Sequence, residues 1–129
     1  MDETILELIT AAKSVLGEFP LSKGLEAGSV GSALRTAKGN IYTGVCIDLA
    51  SGLGFCAEVA AIAEMIKYRE TEIAEIVAVS NFGILAPCGR CRETMVQIDA
   101  RNLDAKVILN EHMILTLREL LPHHWMIAD

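Results

Sequence analysis

At 129 residues the chain can bury the core of one domain, and a balance of 52% hydrophobic to 22% charged residues excludes a disordered segment. Seventeen acidic against eleven basic residues give a formal charge of −6, with no cluster of Lys and Arg. That argues against nucleic acid or an anionic membrane as a main partner.

In chain order, Thr4 to Leu16 places Ile5, Leu8, Ile9, Ala12, Val15 and Leu16 on one helical face. Thr4 and Glu7 have the spacing of a capping box, and Gly17 is a stop. Pro20 to Gly28 reads as a loop. Ser29 to Leu34 and Ile41 to Ile47 have the composition of strands, joined by the turn Ala37-Lys38-Gly39-Asn40. Asp48 to Gly54 is a glycine-bearing loop that runs into a slim, alanine-rich helix from Cys56 to about Arg69. Ile73 to Ser80 is a buried strand. A loop through Gly83 reaches Pro87 and a helix from Cys88 to Ile98. A strand over Lys106 to Leu109 and a last helix over Leu115 to Leu121, stopped by Pro122, complete an αββαβαβα order. Such an order implies an α/β layered domain spanning 1–129, around a mixed sheet.

No stretch nears the roughly 18 apolar residues of a membrane span, and the acidic start is unlike a secretory signal. A cytoplasmic location is expected, where disulfides are rare. The four cysteines then need another use. Cys56 opens one helix, and Cys88 and Cys91 open another behind Pro87, three apart and so on one face. Helix N-termini favour thiolates. Two such ends converging would suit Zn²⁺, with three protein ligands and a fourth position left for water. Three thiolates leave the ion a formal charge of −1, which Arg90 between the cysteines would offset. Glu58 follows Cys56 in the same first turn on another side. There it can take a proton from water and deliver protons to a ring nitrogen and a leaving amine.

Other readings stand beside this one. Cys-x-x-Cys alone also serves redox and structural zinc sites, Cys46 could close a four-cysteine site, and Glu58 could be a surface residue favoured by the helix dipole. Arg92 and Glu93 could form a solvated helix face, with a structural salt link for Arg92 as the other reading. His112, His123 and His124 read as exposed.

Cys56-Ala57-Glu58 followed by Pro87-Cys88-Gly89-Arg90-Cys91 resembles the signature of the cytidine deaminase family. The resemblance runs over nearly the whole chain. Gly28 to Val45, ILAPCGRCRE and the late RELLP look most like the blasticidin S deaminases within it. It implies a three-layer fold with a five-stranded mixed sheet and helices on both faces, and a homotetramer. Cys56, Cys88 and Cys91 would be the zinc ligands, Glu58 the proton shuttle, and the backbone of Ala57 and Ala86 would touch the pyrimidine edge. The substrate would be a small molecule, a cytosine nucleoside or a blasticidin-like cytosine compound. Nucleoside deaminases of the family carry Asn and Glu where this chain has Cys46 and Asp48, so these two positions bear on the sugar side. Trp125 is either a core or interface anchor or an aromatic lid over the ligand, and the resemblance favours the lid.

Overall fold

In a computed structural model, residues 1–126 are described. The elements are α1 (Glu3–Val15), β1 (Phe19–Pro20), β2 (Glu26–Thr36), β3 (Ile41–Asp48), α2 (Ala57–Lys67), β4 (Ile73–Ser80), β5 (Gly83–Leu85), α3 (Gly89–Ile98), β6 (Lys106–Asn110), β7 (Met113–Thr116) and α4 (Leu117–Leu120). Short 3₁₀ turns lie over Ser22–Gly24 and Ala100–Asp104. The five longer strands lie in the order β3-β2-β4-β6-β7, with β1 beside the start of β2 and β5 beside the end of β4. Only β4 and β6 run parallel, so the sheet is mixed as expected. No helix among the described residues is long and apolar enough to cross a membrane.

Alternation along β2 and β4 divides the interior in two. Ala33, Val77 and Val79 face α1, meeting Ile5, Leu8, Ile9 and Ala12. Leu34 and Ile76 face the other way, onto Ala61, Ile62 and Met65 of α2 and Met95 and Val96 of α3. Helices therefore cover both faces. Each fully buried Leu, Ile, Val or Met among them contributes about 1.5–3 kcal/mol. Between the layers the buried Asn102 side chain is fully used: it accepts from Ile73 N at 2.7 Å and donates to the Thr71 and Met95 carbonyls at 3.0 and 2.9 Å. That ties the end of α3 to the start of β4.

Four local expectations are corrected. The N-cap of α1 is Asp2, which accepts from Ile5 N, while the Thr4 hydroxyl donates to Asp2; a carboxylate two residues before Thr4 took the role expected of the Thr4 and Glu7 pair. The segment read as a loop up to Gly28 holds β1 and the first residues of β2. Gly83 opens a short hairpin strand, because Ser80 to Leu85 folds back on β4. Leu115 and Thr116 belong to β7, paired with Val107 and Lys106, and only Leu117–Leu120 is helical. The helical composition there was outweighed by an open sheet edge at β6, and the Thr116–Glu119 capping box starts the helix late.

The helix α2 lies very close to β3. A Cβ on Gly44 would collide with the Ala61 backbone N and sit 2.6 Å from Ala60 Cβ, so only glycine fits under an alanine-faced helix. Gly44→Ala is expected to lower stability by about 1–3 kcal/mol, seen in urea unfolding. Gly17→Ala, which meets nothing within 4 Å, should leave the midpoint near its original value.

Beyond the far end of α2, the buried Glu70 accepts from the Tyr42 hydroxyl and from Asn40. The Tyr42 bond, with those of Thr36 and Asn40, holds the Glu70 carboxyl below its usual range, and the same bond pushes Tyr42 up to about 12. A carboxyl depressed in the folded state stabilises above its unfolded pKa and loses that contribution as pH falls through the folded one. Glu70→Gln should therefore flatten the fall of melting temperature below about pH 4.5. An unchanged acid limb would show that Glu70 carries no such linkage.

Candidate active site

The loop from Asp48 to Gly54 leaves β3 and is closed at its base by reciprocal bonds between Ile47 and Phe55, 3.1 and 3.0 Å. Gly54 is required there, because a Cβ would strike the Ile47 carbonyl. The closure delivers Cys56 as the N-cap of α2, and Cys88 is the N-cap of α3. Neither makes a full side-chain capping bond to its own helix, although the Arg90 and Cys91 N–H groups lie close enough to the Cys88 sulfur to favour its thiolate. Instead Cys56 Sγ lies 3.3 Å from Cys88 Sγ, and Cys88 Sγ lies 3.6 Å from Cys91 Sγ.

The three sulfurs all fall within 4.8 Å of one another and could hold a metal ion. With zinc–sulfur bonds of about 2.3 Å, sulfurs on a tetrahedron stand about 3.8 Å apart. The cluster therefore fits zinc in both chemistry and spacing. Burial, the Cys88 thiol and the charges around it push the Cys56 thiol up, and burial beside Glu58 pushes Cys91 up strongly. Burial acts in the same direction on Cys88, but the backbone N–H groups of Cys91 and Arg90 and the two neighbouring thiols outweigh it, so its thiol is lowered. Cys88 is the readiest thiolate of the three.

Glu58 is 5% exposed in the first turn of α2. Burial raises its pKa, partly offset by its own backbone N–H and the Cys91 thiol. It borders a cavity of about 510 Å³ that also receives Cys56, Ala57, Ala86, Cys88 and Arg90. Arg90 Nη1 donates to the Gly54 carbonyl at 3.1 Å, joining the two helix starts across the rim.

The opposite wall comes from the ends of β2 and β3. Between Ala27 and Gly31 the register slips against Ile47 and Val45, so β2 bulges opposite Cys46. Cys46 Sγ accepts the Val30 N–H at 3.3 Å, lies 3.3 Å from Ser29 Oγ, and is 3.6 Å from Asp48 Oδ2. Ser29, Cys46 and Asp48 all line the cavity. Ser29 was missed from sequence because only the bulge turns it toward the site.

The remaining expectations resolve plainly. Cys46 is outside the three-thiol cluster, so no four-cysteine closed site forms among the described residues. None of His112, His123 and His124 joins a metal-holding group; His112 and His123 are exposed as expected, whereas His124 is half-buried. Among the described residues Arg92 makes no salt link, and its side chain donates to backbone carbonyls instead. Trp125 is 78% exposed and does not line the cavity, and its backbone N–H donates to Glu93 Oε1 at 3.1 Å.

Residues 8–106 match the family described as the cytidine and deoxycytidylate deaminase zinc-binding region. The chain belongs to this family. Its cofactor is accordingly zinc, and the three-cysteine cluster lies within the matched region. The fold is similar to that of cytidine deaminase from Mycobacterium tuberculosis, with a TM-score of 0.80 at 23% identity over 98% of this chain and 100% of that one. It is also similar to cytidine deaminase from Burkholderia pseudomallei, TM-score 0.75 at 28% identity over 97% and 100%. The Mycobacterium leprae enzyme gives 0.70 at 27% over 92% and 93%.

Metal analysis gives a direct test of the cluster. Cys91→Ser should lose most bound zinc on gel filtration, whereas Cys46→Ser should keep about one ion per chain, as expected for a three-thiolate site. Zinc loss from the Cys46 variant would revive the closed site.

Proposed function

We propose that the chain is a zinc-dependent hydrolytic deaminase that converts the exocyclic amine of a cytosine-type ring to a carbonyl and releases ammonia. The observation that carries this is one cavity lined by the buried Glu58 and by Cys56 and Cys88, whose thiols cluster with that of the buried Cys91. A purely structural zinc module needs neither the cavity nor a buried acid beside it.

Zinc held by Cys56, Cys88 and Cys91 would supply Lewis acidity, making water a competent nucleophile near neutral pH. Glu58 takes the water proton, gives one to the ring nitrogen beside the reacting carbon, and delivers another to the departing amine. Burial, which raises its pKa, suits a group that must hold a proton in mid-reaction. The peptide groups of Ala57 and Ala86 meet the polar edge of the ring. Arg90, bonded to Gly54 at the rim, offsets the surplus charge of three thiolates.

The substrate in this reading is a small molecule, a cytosine nucleoside or a blasticidin S-like compound. Ser29, Cys46 and Asp48 face the half beyond the ring. The acidic balance and a cavity with a single basic side chain support a small-molecule substrate over a polynucleotide. We place the enzyme in the cytoplasm as a single catalytic domain that assembles into a homotetramer. Exposed Phe82, Leu53 and Trp125 support assembly.

Ammonia release from zinc-loaded protein, with cytidine, deoxycytidine, cytosine and blasticidin S side by side, tests the reading. Glu58→Gln should retain zinc and melting temperature yet lose about 10²–10⁴ in turnover. If zinc content collapsed with that change, Glu58 would be structural. Silence of the wild type on all four would move the substrate to another aminated heterocycle.

A further inference from the structure

The three ligand cysteines are held unequally by their surroundings. Cys91 is fully buried within α3, and Cys56 follows directly on the Ile47–Phe55 closure. Cys88 is exposed and belongs to the segment that enters α3. Its position depends on Pro87, which is buried and has no N–H to anchor it.

Arg92, half-buried one residue past Cys91, supplies that anchor. Its Nε donates to the Pro87 carbonyl at 2.9 Å, and its Nη1 donates to the Leu120 carbonyl at 3.1 Å. Pro87 lies just before the N-cap of α3, and Leu120 ends α4. Helix geometry gives neither carbonyl an intrahelical partner. One guanidinium fork satisfies both with charge-assisted bonds. A peptide unit is planar, so a fixed Pro87 carbonyl also fixes the plane that carries Cys88 N and the direction in which Cys88 leaves it.

We infer that Arg92 is a positioning residue of the metal centre: it clamps the Pro87–Cys88 peptide to the end of α4 and so holds Cys88 in ligating position. This rests on Cys56, Cys88 and Cys91 being the zinc ligands. The Arg92 side chain does not line the cavity and makes no hydrogen bond to the thiols, and it reaches the metal centre through the Pro87 carbonyl.

The test measures zinc affinity by competition with a chromophoric chelator, and the thiolate absorption of the cobalt(II)-substituted protein. Wild type, Arg92→Ala and Arg92→Gln are compared with Ile9→Val, a mild core truncation on the α1 face. Arg92→Ala is expected to bind zinc roughly 10- to 100-fold more weakly, with an altered cobalt spectrum, while Ile9→Val lowers the melting point alone. Arg92→Gln, able to reach one carbonyl, should fall between, and it decides the matter on the same readouts if the alanine variant does not fold. A lower melting point with unchanged zinc affinity and cobalt spectrum in the Arg92 variants would make the clamp merely structural and overturn the inference. A wild type that bound no zinc would instead overturn the ligand assignment beneath it.

Discussion

Three sulfurs can meet only if two helices begin at the same point in space, and much of the architecture serves that convergence. An N-cap position normally goes to Ser, Thr, Asp or Asn, whose oxygen satisfies a free N–H and contributes about 1 kcal/mol. Here both helix starts have Cys in that place, and the sulfurs turn toward each other instead of capping. The chain thus forgoes local helix stabilisation twice. What it gains is a pair of positive helix ends aimed at a cluster of thiols, a field that favours the thiolate form a metal requires.

The convergence is fixed from behind by close backbone approach and by one short side chain bonded to backbone. Gly44 lets α2 approach β3 at a distance any side chain would prevent, and the Ile47–Phe55 bonds close the loop that feeds into Cys56. On the other helix, Asn102 ties the end of α3 to the start of β4 through the Met95 carbonyl and Ile73 N. None of these contacts relies on a long flexible side chain. A centre whose ligands sit on rigid elements loses little entropy when the ion binds.

The site was more legible in the sequence than the fold around it, for a physical reason. The three clustered thiols and the buried acid beside them fall in two short segments whose spacing is set by helix geometry alone, so Cys56, Glu58, Cys88 and Cys91 could be picked out together. Elements whose conformation depends on distant partners were not legible. Leu115 and Thr116 are strand only because β6 offers an edge, and Ser29 faces the cavity only because β2 bulges opposite Cys46. The Arg92 contacts were hidden likewise, since they join Pro87 to a carbonyl at Leu120 far along the chain.

This division also separates reaction from selectivity. The groups suited to bond breaking stand at helix N-termini, where dipoles and burial set their proton affinities. The groups facing the outer part of a ligand stand at strand ends, on a bulge whose shape is easily changed by one residue. Cys46 spends its sulfur on Val30 N–H and Ser29, so it offers a ligand little hydrogen bonding of its own, leaving Asp48 as the strongest acceptor on that wall. A carboxylate there attracts hydroxyl or cationic groups and repels phosphate by simple Coulomb interaction. Substitution along this wall can therefore redirect which compound enters while leaving the three thiols and Glu58, held by separate elements, in place.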